Sequence, residues 1–514
     1  METLSLLAGG FALALTAQNL MLALIGCFIG TIVGALPGLG PSNGVAILIP
    51  IAFSLGLGPI PSLILLCSVY YGALYGSRIS AILLNIPGDD AAMMTCLDGH
   101  PMAQKGMPGQ ALTLSAIASF VGAFIATWGL VFLAPQLVKI ALLFGPAEYF
   151  VLYVMAFATL GGIMSNNQGK ALFAVAVGLA IAMVGSDSQT GSQRFTFGQI
   201  YLFDGVSFLV AVVGLFALSE VFYFLEQHST GAQTTAKKMK IGKLLPKWSM
   251  IKSTIPTMGR TTAIGFICGV LPGSGATLGS FLSYSLEKAT VDRDGKTFGT
   301  GDPRGVVAPE VGNNAAAGGS LVPMLSLGIP GSGTTAILLA LLLQLNITPG
   351  PLLFSKNPDI VWSLIASLFI ANVMLLVMNV PLVGIFTRVL LVPTRIMMPI
   401  VAMISVVGVY SLSGSTVDVM TMVGFGLLGW LFRKLYVPIV PIILGILLGN
   451  EMEVNLRRAM TISDGEWSIL VGSPLAIILW AIAITGFLLP VILGRRVKKR
   501  MAAELNETNA ASDK

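Results

Sequence analysis

Charge is what this sequence has least of. Only 10% of its 514 residues are Asp, Glu, Lys or Arg, against about 25% in an ordinary soluble domain. Residues 3–77 contain none at all, and further uncharged runs cover 111–138, 261–286, 311–355, 360–387, 396–417 and 467–494. One bilayer crossing takes about 20 apolar residues, so the first run alone is long enough for more than one. With 55% hydrophobic residues and a mean hydropathy of +0.87, soluble, collagen-like and disordered classes are excluded. The composition is that of an all-α polytopic membrane protein.

Reactive side chains are equally scarce. Two histidines, His100 and His228, and no H-E-x-x-H pair leave a zinc protease without ligands. Cys27, Cys67, Cys96 and Cys268 are isolated, mostly in apolar segments, and read as small buried hydrophobes rather than disulfide or metal partners. There is no Walker A loop, so ATP hydrolysis by this chain is not expected. Gly299-Thr300-Gly301-Asp302 matches the G-x-G-D string of intramembrane aspartyl proteases, but it lies in a polar loop between Arg293, Lys296 and Arg304. That chemistry needs two aspartates inside membrane helices. An enzyme is not expected, nor a resident cofactor or metal. The formal net charge of +6 sits in loops and the tail, and reads as membrane topology rather than nucleic-acid binding.

The basic residues that exist are grouped. None precedes Arg78, and without the charged start of a cleavable signal peptide the segment 3–35 is expected to be retained membrane helix. Lys237, Lys238, Lys240, Lys243, Lys247, Lys252 and Arg260 cluster in one segment, and Arg495, Arg496, Lys498, Lys499 and Arg500 in another. The positive-inside rule puts both in the cytoplasm and the N-terminus outside. The chain then divides into an N-terminal repeat half (1–226), a basic cytoplasmic linker (227–260), a C-terminal repeat half (261–450), a loop with an extra last helix (451–494) and a basic tail (495–514).

The halves are called repeats because one pattern occurs twice. Gly34-Ala35-Leu36-Pro37-Gly38-Leu39-Gly40 returns as Gly269-Val270-Leu271-Pro272-Gly273-Ser274-Gly275, and Asn85-Ile86-Pro87-Gly88 as Gly328-Ile329-Pro330-Gly331. From Pro37 to Pro87 is 50 residues, and from Pro272 to Pro330 is 58. Gly76-Ser77 aligns with Gly319-Ser320 at the offset of the Ile-Pro-Gly pair. Paired Gly/Pro interruptions in corresponding halves are the sequence mark of a secondary transporter's binding site. A Pro-Gly pair removes a backbone donor and frees carbonyls, so no unbroken helix runs through Leu36–Gly44. The 11 apolar residues Val45–Leu55 make about 16 Å of helix against a hydrocarbon core of about 30 Å, which predicts a re-entrant or broken element turning at 56–61. The neutral 56–61 loop and its basic counterpart 287–310 place equivalent loops on opposite faces, so the repeats are read as inverted. Roughly 10–13 transmembrane or re-entrant helices are expected, with the breaks near the midplane.

Small polar residues flank the breaks. Hydroxyls, amides and freed carbonyls are hard ligands suited to Na⁺, and exposed helix N-termini favour carboxylates. Candidate cation ligands are Gly38, Gly40, Ser42, Gly273, Ser274, Gly275, Thr277, Asn313 and Asn314. Candidate substrate contacts are Ser42, Asn43, Asn85, Pro87, Gly88, Pro330, Gly331, Ser332, Thr334 and Thr335. The bland alternative is that the small residues only allow close helix packing. Arg78 is read either as a substrate-carboxylate contact or as an anchor at the membrane boundary. Asp89 and Asp90 are read as cation or proton sites or as solvated turn acids, with no symmetric role because Ser332-Gly333 replaces them in the second half. Glu310 carries the same ambiguity.

The strings GALPGLGPSNGVAILIP, YGSRISAILLNIPGDDAA, GVLPGSGATLGSFLSY and APEVGNNAAAGGSLVPMLSLGIPGSGTTAILLALL closely resemble the large membrane subunit of tripartite tricarboxylate transporters, the TctA family, over almost the whole chain. The resemblance implies a bacterial inner-membrane carrier that works with a small membrane subunit and a periplasmic solute-binding protein. It implies import of a carboxylate, coupled to a co-transported Na⁺ or H⁺ gradient rather than to ATP. A stand-alone anion channel or carrier is the competing reading; a channel would be expected to show repeated selectivity rings in an oligomer.

Overall fold

The computed structural model describes residues 2–163, 168–187, 189–229, 241–272, 275–292, 297–390, 392 and 394–488, and they are almost wholly helical. Among the described residues, eight helices are long and apolar enough to cross a membrane, and five shorter apolar ones accompany them. The expected number of elements is reached only when the short helices are included. The protein is an all-α polytopic membrane protein. Its chain forms two compact units, 1–143 with 206–435, and 144–205 with 436–514. Both copies of the Gly/Pro pattern fall in the first unit, so these units are not the two repeat halves.

In the first unit, α1 (Glu2–Ala14) leads to α2 (Ala17–Ala35), which stops where Leu36 turns extended ahead of Pro37. Gly38 at φ +86° and Gly40 at φ +47° then start α3, with Pro41 in its first turn. These left-handed values are open to glycine and costly for other residues. α3 (Gly40–Ser54) has 15 residues, about 22 Å, too short to span the hydrocarbon core. The chain turns at Gly56 into α4 (Pro59–Leu84), breaks at Asn85–Asp89, and resumes as a 3₁₀ turn and α5 (Met93–Gln104). α6 (Pro108–Ala141) follows. The segment Phe208–Glu226, here α9, carries a π-helical stretch at Val213–Leu218.

The second copy runs in the same order. α10 (Trp248–Val270) ends before Pro272, α11 (Gly275–Val291) starts at a glycine with φ +57°, and α12 (Pro303–Leu327) ends at left-handed Gly328 before α13 (Gly333–Gln344). The same contacts occur in both copies. A Cβ on Gly34 would run into the Ala73 carbonyl, and one on Gly269 into the Ala316 carbonyl. Gly76 sits against the Thr31 carbonyl and Gly319 against the Phe266 carbonyl, while Gly88 meets Ser77 and Gly331 meets Ser320. Such contacts allow backbones to approach closely in a setting where apolar burial cannot drive helices together. α4 and α12 are buried along nearly their whole lengths, from Ser62 to Leu83 and from Gly305 to Ser326. α14 (Pro358–Asn379), α15 (Thr394–Ser413) and α16 (Thr416–Lys434) complete the unit.

The second unit contains α7 (Pro146–Ile163), α8 (Gln168–Ala182), a hairpin of β1 (Gly185–Ser186) and β2 (Gln193–Arg194), α17 (Ile439–Ile462) and α18 (Pro474–Leu488). α8 and α17 touch backbone to backbone at Gly178 and Gly445. Asp187 accepts from the Gln189 and Thr190 amides and pairs with Arg194 and Arg457, and both arginines also hold Glu453. These bonds hold the Asp187 carboxyl well below its usual range, at about 2.

Candidate functional site

The interruptions converge. Within the first copy, Gly40 lies beside Asp89; within the second, Gly275 lies beside Ser332. Between copies, Ser42 on α3 and Thr334 on α13 share a hydrogen bond of 2.9 Å between hydroxyls. The reciprocal contact also exists, with α11 packed on the 3₁₀ turn Asp90–Ala92 that follows the first Ile-Pro-Gly. Two short elements, one from each copy, thus each touch the helix start that follows the other copy's break.

Local chemistry explains these helix starts. Ser332 and Thr335 form a reciprocal capping box, and the Asp89 carboxylate accepts the Ala92 amide at 2.9 Å. Asp89 and Ser332 therefore share a capping role, which is separate from the cation or proton role considered for Asp89. The consequence is electrostatic rather than geometric. The start after Pro87 is capped by an ionisable carboxyl, whereas the start after Pro330 is capped by neutral hydroxyls.

The other sequence-derived residues fall in distinct places. Asn43 donates to the Gly38 carbonyl at 3.3 Å, which fixes the first break internally. Asn85 is the exposed left-handed cap of α4, a conformation asparagine tolerates, and Gly328 is its counterpart. Pro87 and Gly88 lead into the Asp89 cap, and Pro330 and Gly331 into the Ser332 cap; Gly331 and Pro330 are buried. Thr335 is buried in the capping box, while Thr277 is exposed in the first turn of α11. Gly273 and Ser274 lie outside the described residues. Asn313 and Asn314 are wholly buried on α12 and are not bonded to the break residues.

Arg78 is buried between helices rather than placed at a surface. It is 2% exposed, and its terminal nitrogens donate to the Leu112 carbonyl and Ser115 of α6 and to Asn379 of α14. It ties α4 to two neighbouring helices. The Gly-Thr-Gly-Asp string also has a structural use. The Gly299, Gly301 and Asp302 amides and the Tyr284 hydroxyl all donate to the wholly buried carboxylate of Asp98 on α5, at 2.8–3.0 Å. No local pattern announces this, since about 200 residues separate Asp98 from the loop; a lone acid in a weakly polar helix was the available signal. Glu310 is 0% exposed and accepts from Thr95 of α5 at 2.6 Å and Ser119 of α6 at 2.9 Å.

Known proteins resemble the chain in sequence. A protein of Agrobacterium vitis described as an uncharacterized 52.8 kDa protein in the TAR-I ttuC' 3'region is 39% identical over 501 residues, covering 97% of this chain and 99% of that protein. A second from Agrobacterium vitis, described as an uncharacterized protein in the TAR-II ttuC' 3'region, is 36% identical over 235 residues, covering 46% of this chain and 97% of that protein. No solved structure matches the chain. Residues 20–444 match the family described as tripartite tricarboxylate transporter TctA, and the chain belongs to that family.

Proposed function

We propose that the protein is the large transmembrane subunit of a binding-protein-dependent secondary transporter that imports a di- or tricarboxylate, citrate-like in charge, on a Na⁺ or H⁺ gradient. It works with a small membrane subunit and a periplasmic solute-binding protein in the bacterial inner membrane. Its N-terminus is periplasmic and its C-terminus cytoplasmic, around inverted repeats. The observation that carries this reading is the Ser42–Thr334 bond, because it joins two interrupted elements from different copies of one motif. A carrier can open and close such a joint between repeats.

The energetics support cation coupling. Importing an anion against an interior-negative potential costs about 2.3 kcal/mol per charge per 100 mV, and the sequence contains no ATP-binding loop. Co-transported cations supply the work by offsetting the anion's charge. The carboxylate is assigned to the neutral helix start at Ser332–Thr335, and cations to the freed carbonyls and hydroxyls around Gly38–Gly44 and Gly273–Thr277. The test is uptake of labelled carboxylates in proteoliposomes holding this subunit with its two partners, under imposed Na⁺, H⁺ or no gradient. Uptake should need a cation gradient and show counterflow. Gly38→Val should abolish it while insertion persists, since Gly38 sits at φ +86° with little in the way of a side chain. Flux without counterflow would establish a channel instead. Labelling of cysteines placed at positions 2 and 505 checks orientation, and periplasmic access to 505 would refute it.

A further inference from the structure

The buried acids of the first unit differ in how their charge is met. Glu287 has Arg260 and Thr257, Glu220 has Arg433, and Asp98 has its three amides and a phenol. Glu310 is the exception. Its two oxygens meet only the hydroxyls of Thr95 and Ser119, and among the described residues no basic side chain forms an ion pair with it. Arg78 is near enough to act on Glu310 through space but directs its bonding nitrogens at α6 and α14.

A second, independent feature sits one turn further on. Asn313 and Asn314 share a face of α12 with Glu310, at i+3 and i+4, and helical side chains lean back toward the preceding turn. The Asn314 amide nitrogen does so, donating to the Glu310 carbonyl at 2.9 Å. Yet the Asn314 side-chain oxygen and both polar atoms of Asn313 have no hydrogen-bond partner, although both residues are 0% exposed. Unpartnered buried amides are costly unless something binds them.

We propose that Glu310, Thr95, Ser119, Asn313 and Asn314 form a Na⁺ site, which rests on the reading of the protein as a cation-coupled carrier and gives that coupling a location away from the helix breaks. The donor set is one carboxylate, two hydroxyls and two amides, all hard oxygens without nitrogen or sulfur ligands. One carboxylate among the donors suits a monovalent ion, whereas divalent oxygen sites gather several carboxylates. A proton would satisfy one carboxylate oxygen and leave the amides as they are. The ligands come from α5, α6 and α12, so an ion here fastens the first copy's post-break helix to the second copy's central helix.

The test is equilibrium binding of ²²Na⁺ to the purified full-length subunit, without substrate or partners. The parent should bind saturably, Glu310→Gln should lose binding, and Thr95→Val and Asn313→Leu should weaken it at least tenfold. If Glu310→Gln does not fold, the two near-isosteric variants decide alone. Binding unchanged in the folded variants overturns the site. A parent that binds no Na⁺, with uptake driven by acid instead, overturns it in favour of a proton. Carboxylate uptake by the reconstituted parent is scored separately: uptake indifferent to every cation gradient would sink the transport reading, while variant-sensitive ²²Na⁺ binding would still establish the site.

Discussion

Replacing Asp98 tests how much the buried carboxylate does for the fold. It is 0% exposed and accepts from three backbone amides and the Tyr284 hydroxyl. A hydrogen bond to a charged acceptor contributes about 1.5–3 kcal/mol against about 1 kcal/mol for a neutral one. Asp98→Asn keeps the shape and one acceptor oxygen but removes the charge from several such bonds, so about 2–4 kcal/mol should be lost. Asp98→Ala should cost more, because each buried amide left without a partner costs about 1–3 kcal/mol. Gly305→Ala offers an orthogonal probe, since a Cβ there would collide with the same carboxylate. The assay is thermal unfolding of the purified protein in detergent, scored as midpoint and as half-life at fixed temperature, with limited proteolysis of the 297–302 loop. All three variants should melt earlier and be cut faster in that loop. Asp98→Asn with parental melting and parental protease resistance would show that the loop's amides do not depend on the charge.

Two further outcomes follow from the geometry. Cysteines introduced as Ser42→Cys and Thr334→Cys should crosslink on oxidation and arrest uptake reversibly, since the native hydroxyls are 2.9 Å apart; a crosslinked protein that transports at the parental rate would mean the joint does not move. The Asp187 carboxyl is depressed to about 2 by the Gln189 and Thr190 amides and by Arg457 and Arg194. A depressed carboxyl stabilises above its unfolded pKa of about 3.9, so protection of the 185–194 hairpin should be full at pH 6 and fade as pH falls from about 4 toward 2. Hydrogen exchange across that range checks it, and Asp187→Asn should lack the transition.

Residues that dictate their own backbone were readable in advance. Pro37-Gly38 and the start of α11 break the helix wherever they are placed, and the matched offsets of Gly34, Gly76 and Gly88 are packing requirements written twice. Residues whose role depends on what another helix presents were not. Arg78 is held by a carbonyl on α6 and an amide on α14, which nothing in its own segment reveals. The Gly-Thr-Gly-Asp string could be set aside as catalytic chemistry, but its actual use was hidden because its partner, Asp98, is remote in sequence. Thr95 and Ser119 are ordinary helix hydroxyls until α12 brings Glu310 between them. The two compact units were hidden for the same reason, since hydropathy marks segments and not which segments pack together.

The burial of α12 has a consequence for how the protein is made. This helix is enclosed along almost its entire length, yet it is not among the eight segments apolar enough to cross a membrane. It carries Glu310, Asn313, Asn314 and Arg304 amid glycine and alanine. Insertion machinery weighs each segment against lipid as it emerges, and an acidic side chain at mid-helix weighs against partitioning by about 2.5–3.5 kcal/mol. α12 cannot settle there on its own merits. α6, α10 and α11 pack around it, so α12 is held at depth by its neighbours and not by its own affinity for lipid. The same polar residues proposed to hold the ion thereby make this helix dependent on its neighbours for its place in the membrane.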